Sequence, residues 1–153
     1  MMNKLRYPVL VSSIILLALL VRVYQHHHIL MGDEAQNMLT IKALVEGGGV
    51  RDYFFKHPPL FTILSAAISY PFGDNHLLVQ GISIIFSVLS FIPLYLIMRR
   101  IFDNRTAIVT LLSLAIMPLN VNYSTWVKQD PMLLFFMLWS VYFYITDRPY
   151  KSG

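Results

Sequence analysis

Three acidic residues have the chemical character that proton transfer requires. Asp33 and Glu34 are adjacent and follow the first long apolar run, and Asp130 lies far downstream, directly before Pro131. A carboxylate that is held in place can accept the proton of a substrate hydroxyl. The same residues also suit helix starts, with Asp33 as an N-cap and Asp130 as a cap before a proline at the first helical position. Their spacing alone favours capping, and the two roles are compatible.

Basic residues that could bind an anion beside these acids are Arg51, Lys56, His57 and Lys128. Cations stabilise a departing phosphate through charge-assisted hydrogen bonds. For each residue alone, the more common role is an ordinary position at the membrane edge, with an apolar stem and a hydrated charge. The three consecutive histidines at 26–28 do not predict a metal site, because adjacent side chains on a helix point in different directions.

The composition indicates a membrane protein. Hydrophobic residues make up 56% of the 153-residue chain and charged residues 13%, against roughly 45–50% and roughly 25% in soluble domains. So few charges cannot cover a water-exposed surface, and lipid must therefore solvate much of the chain. The absence of cysteine excludes disulfides and thiolate metal sites. The net charge of +4 does not indicate nucleic-acid binding, because the basic residues are scattered between apolar runs.

Four apolar stretches are predicted to cross the membrane, which takes about 20 mostly apolar residues. They are residues 7–24, 77–98, 106–127 and 131–146. We interpret the first as a retained anchor, because no small-residue cleavage site follows it. Arg22 lies near the end of this stretch and is expected to reach the headgroups. We therefore predict an all-α integral membrane protein with about four transmembrane helices.

A fifth apolar run, residues 58–73, decides the topology. Its polar residues Thr62, Ser65 and Ser69 share one face of a helix, and this pattern suits a helix that lies in the membrane interface. If the run does not cross, seven Lys and Arg residues lie inside and five outside; if it crosses, three lie inside and nine outside. The positive-inside rule favours the arrangement in which it does not cross.

This topology gives a long outer loop, residues 25–76, and cytoplasmic chain ends. Two interfacial helices are expected within the loop, at residues 34–46 and 58–72, and the glycines at 47–49 end the first of them. The arrangement brings three acids that are distant in sequence to the outer face of the membrane. They are Asp33, Glu34 and Asp130.

Three signatures, in this order, resemble a family of membrane enzymes. They are the acid pair Asp33–Glu34 after the first membrane helix, the His-Pro-Pro-Leu motif at 57–60, and Asp130 followed by the apolar residues 133–136. This pattern resembles the start of a type-C glycosyltransferase. The resemblance is greatest to the dolichyl-phosphate-mannose-protein mannosyltransferases and their bacterial relatives, which include aminoarabinose transferases. Each signature alone has low specificity, but together they cover most of the chain.

The resemblance implies a reaction at the outer face of the cell's inner or plasma membrane. A sugar would pass with inversion from a polyprenyl-phosphate donor to a protein, lipid or glycan acceptor. The family's general base corresponds to Asp33, Glu34 would orient it or raise its basicity, and Asp130 would have a supporting role. The four basic residues named above would bind the substrate phosphate. The resemblance implies no definite cofactor, and it leaves open whether a divalent cation assists.

The chain departs from the family pattern in two respects. Relatives commonly carry an arginine where this chain has Gln80, which offers hydrogen bonds but no charge. Family members are also several times longer, so we expect an incomplete, N-terminal module of a glycosyltransferase. An inactive truncated product is one alternative. Others are a non-catalytic membrane subunit or scaffold whose acids only cap helices, and a transporter fragment, although the predicted spans lack the buried ionisable groups of transporters.

Overall fold

A computed structural model describes residues 3–25, 32–47, 58–73 and 75–147, and every regular element within these ranges is an α-helix. In chain order the helices are α1 (Asn3–Tyr24), α2 (Asp33–Val45), α3 (Leu60–Ser69), α4 (His76–Leu89), α5 (Phe91–Ile101), α6 (Asn104–Ile116), α7 (Pro118–Ser124) and α8 (Asp130–Asp147). The prediction of an all-α chain is confirmed.

Two stretches within the described residues are long and apolar enough to cross a membrane. They are Arg6–Tyr24 in α1 and His76–Ile101, which joins α4 and α5. The bent pair α6 and α7 makes a third if it is counted as one broken span. Helix α8 covers the fourth predicted span, but Asp130 and Asp147 at its ends make it less apolar. By length and composition the structure thus supports a membrane protein with two or three such spans, and the count of about four stays a prediction.

The stretch predicted as one continuous span, residues 106–127, is broken at Pro118. Helices α6 and α7 meet there at an angle of 62°. Met117 has extended backbone geometry, with ψ of 116°, because a following proline disfavours the helical region. Pro118 then begins α7, where its missing N–H is not needed. The predicted span is thus a bent pair of helices rather than one continuous helix, and an irregular segment, residues 125–129, connects α7 to α8.

A smaller interruption separates α4 from α5. Asn75 begins α4, since its side chain accepts a hydrogen bond from the backbone N–H of Leu77 at 3.0 Å. The helix is interrupted at Ser90, three residues before Pro93. Proline has no N–H to bond the carbonyl of Leu89, four residues earlier. At the interruption, the hydroxyl of Ser90 donates to the carbonyl of Phe86 at 2.8 Å.

Two apolar clusters hold the helices together. The first joins α2, α3, α4, the 125–129 segment and α8, and it contains Met38, Ile41, Phe61, Ala66, Val79, Ile82, Val127 and Met132. The second joins α1, α5 and α6, and it contains Ile14, Ala18, Phe91, Leu111 and Ala115. Large apolar side chains on the outer faces of α1 and α8 stay exposed. Such a surface suits contact with lipid.

Helix α3 turns its polar face towards the protein. Ser65 and Ser69 are fully buried and Thr62 nearly so, whereas Ile63 and Ile68 are each 39% exposed. Helices α2 and α4 pack against α3, and the position of α3 in the membrane interface stays a prediction. The length of α3 still argues against a crossing. Its 10 residues, at about 1.5 Å each, fall well short of a hydrocarbon core of about 30 Å.

Candidate active site

The first acidic segment is tied to the second by a buried hydrogen bond. The carboxylate oxygen Oε1 of Glu34 accepts the backbone N–H of Val127 at 2.9 Å. Glu34 is only 3% exposed and Val127 is fully buried. A buried backbone N–H needs an acceptor, and a carboxylate is a strong one. This bond places the start of α2 against the irregular segment that leads into α8.

Two further side chains fix the same segment. The amide Nδ2 of Asn37 donates to the carbonyl of Val127 at 2.9 Å. Glu34 and Asn37 lie three residues apart and therefore share one face of α2, so both backbone groups of Val127 are satisfied by one helix. From the other side, the hydroxyl of Ser83 in α4 donates to the carbonyl of Lys128 at 3.1 Å. The position of the 125–129 segment is thus set by α2 and α4 together.

Asp33 is the first residue of α2 and is exposed. The N-cap is Gly32, whose φ of 52° lies in the region that glycine favours. As a glycine, this residue has no side chain that could cap the helix. The interpretation of Asp33 as an N-cap is therefore wrong. Asp33 and Glu34 are both in the first turn, where the helix dipole favours negative charge.

Asp130 is likewise inside its helix rather than at the cap. The first backbone bond of α8 runs from the N–H of Leu133 to the carbonyl of Gln129 at 2.9 Å, so Gln129 holds the capping position. Asp130 and Pro131 follow in the first turn. The expected cap with proline at the first helical position is thus displaced by one residue. The carboxylate of Asp130 is exposed and faces a cavity.

This cavity of about 310 Å³ lies between α4, α7 and α8. Most of its wall is apolar. The residues that line it are Ser87, Met117, Leu119, Asn120, Tyr123, Ser124, Asp130, Pro131 and Leu134. Its size falls within the range of about 300–1,000 Å³ typical of small-molecule sites. A few polar groups in an apolar wall suit a ligand that is itself partly apolar.

Arg22 is a buried polar centre that the sequence reasoning missed. It was expected to reach the headgroups, but the residue is fully buried. Its Nη1 donates to the carbonyl of Ala18 at 3.0 Å and its Nε to the hydroxyl of Ser87 at 3.0 Å. Its Nη2 donates to Oδ1 of Asn120. The guanidinium also lies 5.4 Å from the ring centroid of Phe91. A charged residue inside an apolar span was the available signal.

Lys128 is held by two aromatic rings. Its Nζ lies 4.9 Å from the ring centroid of Tyr123 and 4.7 Å from that of Trp126, within the range of cation–π attraction. Tyr123 also lines the cavity. The predicted phosphate ligand Lys128 is thus positioned next to the cavity, two residues from Asp130.

The other predicted anion ligands, Arg51, Lys56 and His57, lie outside the described residues, as do the histidines at 26–28. Within the described ranges, no group of three His, Asp or Glu side chains could hold a metal ion. Gln80, which stands where relatives carry arginine, is fully buried. In the described part of the chain neither its Oε1 nor its Nε2 has a hydrogen-bond partner.

The fold and this site define an all-helical membrane protein with one acidic group, Asp130, in the wall of a largely apolar cavity. A family model described as dolichyl-phosphate-mannose-protein mannosyltransferase matches residues 56–147. The chain belongs to this family of membrane glycosyltransferases, which confirms the resemblance seen in its motifs. The match includes Asp130 and Lys128, whereas Asp33 and Glu34 precede it. No curated protein and no solved structure matches the chain.

Proposed function

We propose that the chain takes part in transfer of a sugar from a polyprenyl-phosphate donor to an acceptor hydroxyl at the outer face of the membrane. The family supports the glycosyltransferase class. The observation that carries the proposal further is the hydrogen bond from the N–H of Val127 to Glu34. It holds the acid pair of α2 next to the 125–129 segment, which carries Lys128 and leads directly into Asp130 at the start of α8.

Asp33 is the proposed general base. Its carboxylate takes the proton of the acceptor hydroxyl while that oxygen forms a bond to the anomeric carbon. The bond from the anomeric carbon to the phosphate oxygen breaks, and the polyprenyl phosphate leaves with the bonding electron pair. Attack from the face opposite the leaving group inverts the anomeric centre. Exposure of Asp33 on the first turn of α2 leaves it accessible to an acceptor.

Glu34 acts as a positioning residue in this scheme. Its buried carboxylate is engaged with the backbone of Val127, so it is poorly placed to exchange a proton with substrate. Lys128 supplies positive charge for the departing phosphate, and Asp130 contributes a polar group to the cavity. Arg51, Lys56 and His57 remain predicted phosphate ligands.

The substitution Asp33→Asn tests the general base. Asp33 is exposed, and asparagine has nearly the same size and suits a helix start about as well, so the variant should fold and melt as the wild type does. Transfer from radiolabelled polyprenyl-phosphate mannose in membranes should fall about 10²–10⁴-fold, the usual contribution of a placed base. Glu46→Gln, an exposed acid at the other end of the same helix, is the matched control and should retain activity.

Two results would contradict the proposal. If Asp33→Asn transfers the sugar at the wild-type rate, Asp33 is not the base. If the wild-type chain neither binds nor transfers any polyprenyl-phosphate sugar, the protein is a non-catalytic member of its family.

A further inference from the structure

A second cavity, of about 540 Å³, opens between α1, α5 and α6. Its lining includes Tyr7 and Ser12 of α1, Tyr95 and Arg99 of α5, and Asn104 of α6. We call this cavity the basic groove. It contains none of the residues assigned above to sugar transfer, so its role has to be argued from its own chemistry.

The basic groove lies at the other end of the helices from the candidate active site. Arg22, near the end of α1, donates to Ser87 and Asn120, which line the 310 Å³ cavity. Tyr7 lies 15 positions earlier in the same helix. At about 1.5 Å per residue this separation is about 22 Å, most of a hydrocarbon core of about 30 Å. The two cavities therefore belong to opposite membrane surfaces.

Four arginines surround the basic groove. Arg99 lines it, and Arg6, Arg100 and Arg105 are each adjacent in sequence to a lining residue. All four are exposed. None of them forms an ion pair within 4 Å in the part of the chain that the structure describes. Their charges are therefore available to an anionic ligand.

The nearby acids do not neutralise this charge. Asp103 accepts the backbone N–H of Thr106 at 2.6 Å as the N-cap of α6, and it offsets part of the charge of Arg105. Asp147 ends α8, a helix that does not line the groove. Arg6, Arg99 and Arg100 thus leave the groove positively charged.

The lining combines polar donors with an apolar wall. The hydroxyl of Tyr95 donates to Oδ1 of Asn104 at 3.3 Å, so the amide N–H groups of Asn104 remain as donors beside the guanidinium of Arg99. Pro8 and Val11 supply apolar surface in the same groove. Phosphate oxygens suit the donors, and an attached hydrocarbon chain would bury area against the apolar wall. A soluble anion would use only the first of these features.

We propose that the basic groove binds the headgroup of an anionic phospholipid, with Arg99 as the ligand of its phosphate. This inference goes beyond the proposed function and does not depend on it. The topology predicted from the positive-inside rule places the groove at the cytoplasmic surface. Anionic lipids give that leaflet its negative potential, and basic pockets between membrane helices on that side suit their headgroups.

Native mass spectrometry of the full chain in uncharged detergent can measure the binding of phosphatidylglycerol and of the zwitterionic phosphatidylcholine. The wild type should bind phosphatidylglycerol at least tenfold more tightly. Arg99→Gln should weaken phosphatidylglycerol binding about fivefold, the usual effect of one basic residue near an anionic surface, and should leave phosphatidylcholine binding unchanged. Lys42→Gln removes a cation from α2, outside the groove, and should bind both lipids as the wild type does.

A second pair of variants tests the groove without changing charge. Ser12 and Ser13 are neighbouring exposed serines on α1, but only Ser12 lines the groove. Ser12→Trp should fill part of the space and weaken phosphatidylglycerol binding at least fivefold. Ser13→Trp should have no effect. Because both changes are at exposed positions, the pair remains informative even if Arg99→Gln fails to fold.

Three results would overturn the inference. The first is equal affinity of the wild type for the two lipids, and the second is wild-type affinity for phosphatidylglycerol in a folded Arg99→Gln or Ser12→Trp protein. The third is displacement of phosphatidylglycerol by millimolar inorganic phosphate, which would assign the groove to a soluble anion.

The leaflet can be tested separately because the chain has no cysteine. A membrane-impermeant maleimide should label Arg105→Cys, at the exposed start of α6, in inverted vesicles. It should not label this variant in vesicles with the native orientation. The opposite pattern would place the groove at the outer surface and contradict the assignment to a cytoplasmic lipid.

Discussion

The carboxylate of Glu34 and the backbone N–H of Val127 lie 2.9 Å apart although 93 positions separate the two residues in sequence. Asn37, on the same face of α2, donates to the carbonyl of Val127. The backbone of Val127 is therefore paired with side chains rather than with another strand or helix. Because this residue belongs to the segment before α8, the pairing fixes the acid pair of α2 relative to Asp130.

Loss of the Glu34 acceptor should destabilise the fold. Glu34→Ala leaves the N–H of Val127 buried without a partner and should lower the free energy of unfolding by about 1–3 kcal/mol. Glu34→Gln keeps an oxygen acceptor and should recover most of this loss. Thermal unfolding in detergent measures both, with Glu46→Ala on the exposed end of α2 as the control. Equal stability of Glu34→Ala and Glu34→Gln would show that the bond contributes nothing.

Glu34 and Asn37 should behave as a coupled pair. Each side chain holds one backbone group of Val127, so loss of either allows the segment to shift and weakens the other bond. In a double-mutant cycle, Glu34→Ala and Asn37→Ala should show a coupling energy of about 0.5–3 kcal/mol. Unfolding free energies of the single and double variants provide the measurement. Strict additivity would mean that the two bonds act independently.

The long apolar runs made much of the fold predictable. Residues 7–24 and 77–98 have the length and composition of membrane spans. In the structure the first is helical throughout and the second is helical except at Ser90. The break at Pro118 was also visible in the sequence, because the residue before a proline disfavours helix. The prediction of one span rested on the absence of charged side chains from residues 106–127. The composition of a segment indicates whether lipid or water surrounds it. It does not indicate whether the segment forms one unbroken helix.

The site was less predictable because its contacts join distant parts of the chain. The sequence indicated Asp33, Glu34 and Asp130 as a group, but their spacing favoured capping roles that the structure does not show. The environment of Arg22 depends on Ser87 and Asn120, which lie on other helices. No local pattern contains that information. The direction of the polar face of α3 was unpredictable for the same reason, because the neighbouring helices determine which face of α3 is covered.

Gln80 offers a test of an unpaired buried amide. In the described part of the structure its two polar atoms are buried without partners, which costs about 1–3 kcal/mol. Gln80→Met keeps a similar length without polar groups and should raise the free energy of unfolding by about 1 kcal/mol or more. Gln36→Met, on an exposed position of α2, should change it by less than about 0.5 kcal/mol. A destabilised Gln80→Met protein would show that the amide has a bound partner in the membrane.

The aromatic rings around Lys128 should influence donor binding. Trp126→Leu removes one cation–π contact, which is worth about 0.5–1 kcal/mol at a partly exposed site. If Lys128 binds the donor phosphate, the KM for the polyprenyl-phosphate sugar should rise about two- to fivefold with little change in kcat. Lys128→Met, which removes the charge itself, should raise KM further. An unchanged KM in both variants would exclude Lys128 from the donor site.

Asp103 should make stability depend on pH at the start of α6. Its Oδ1 accepts the backbone N–H of Thr106 at 2.6 Å, and this bond is the main reason that the pKa of the Asp103 carboxyl lies below its ordinary value of 3.8. Because the folded pKa is lower than the unfolded one, this contribution to stability is present above about pH 4 and is lost as the pH falls through the folded value.

Asp103→Asn keeps a capping side chain but cannot titrate. The difference in unfolding temperature between wild type and Asp103→Asn in detergent should therefore stay constant from pH 7 to pH 5 and change in favour of the variant below about pH 4. Asp103→Ala loses the cap as well and should be less stable than Asp103→Asn throughout this range. If the difference between wild type and Asp103→Asn stays the same down to pH 3, the bond to Thr106 does not depend on the carboxylate charge.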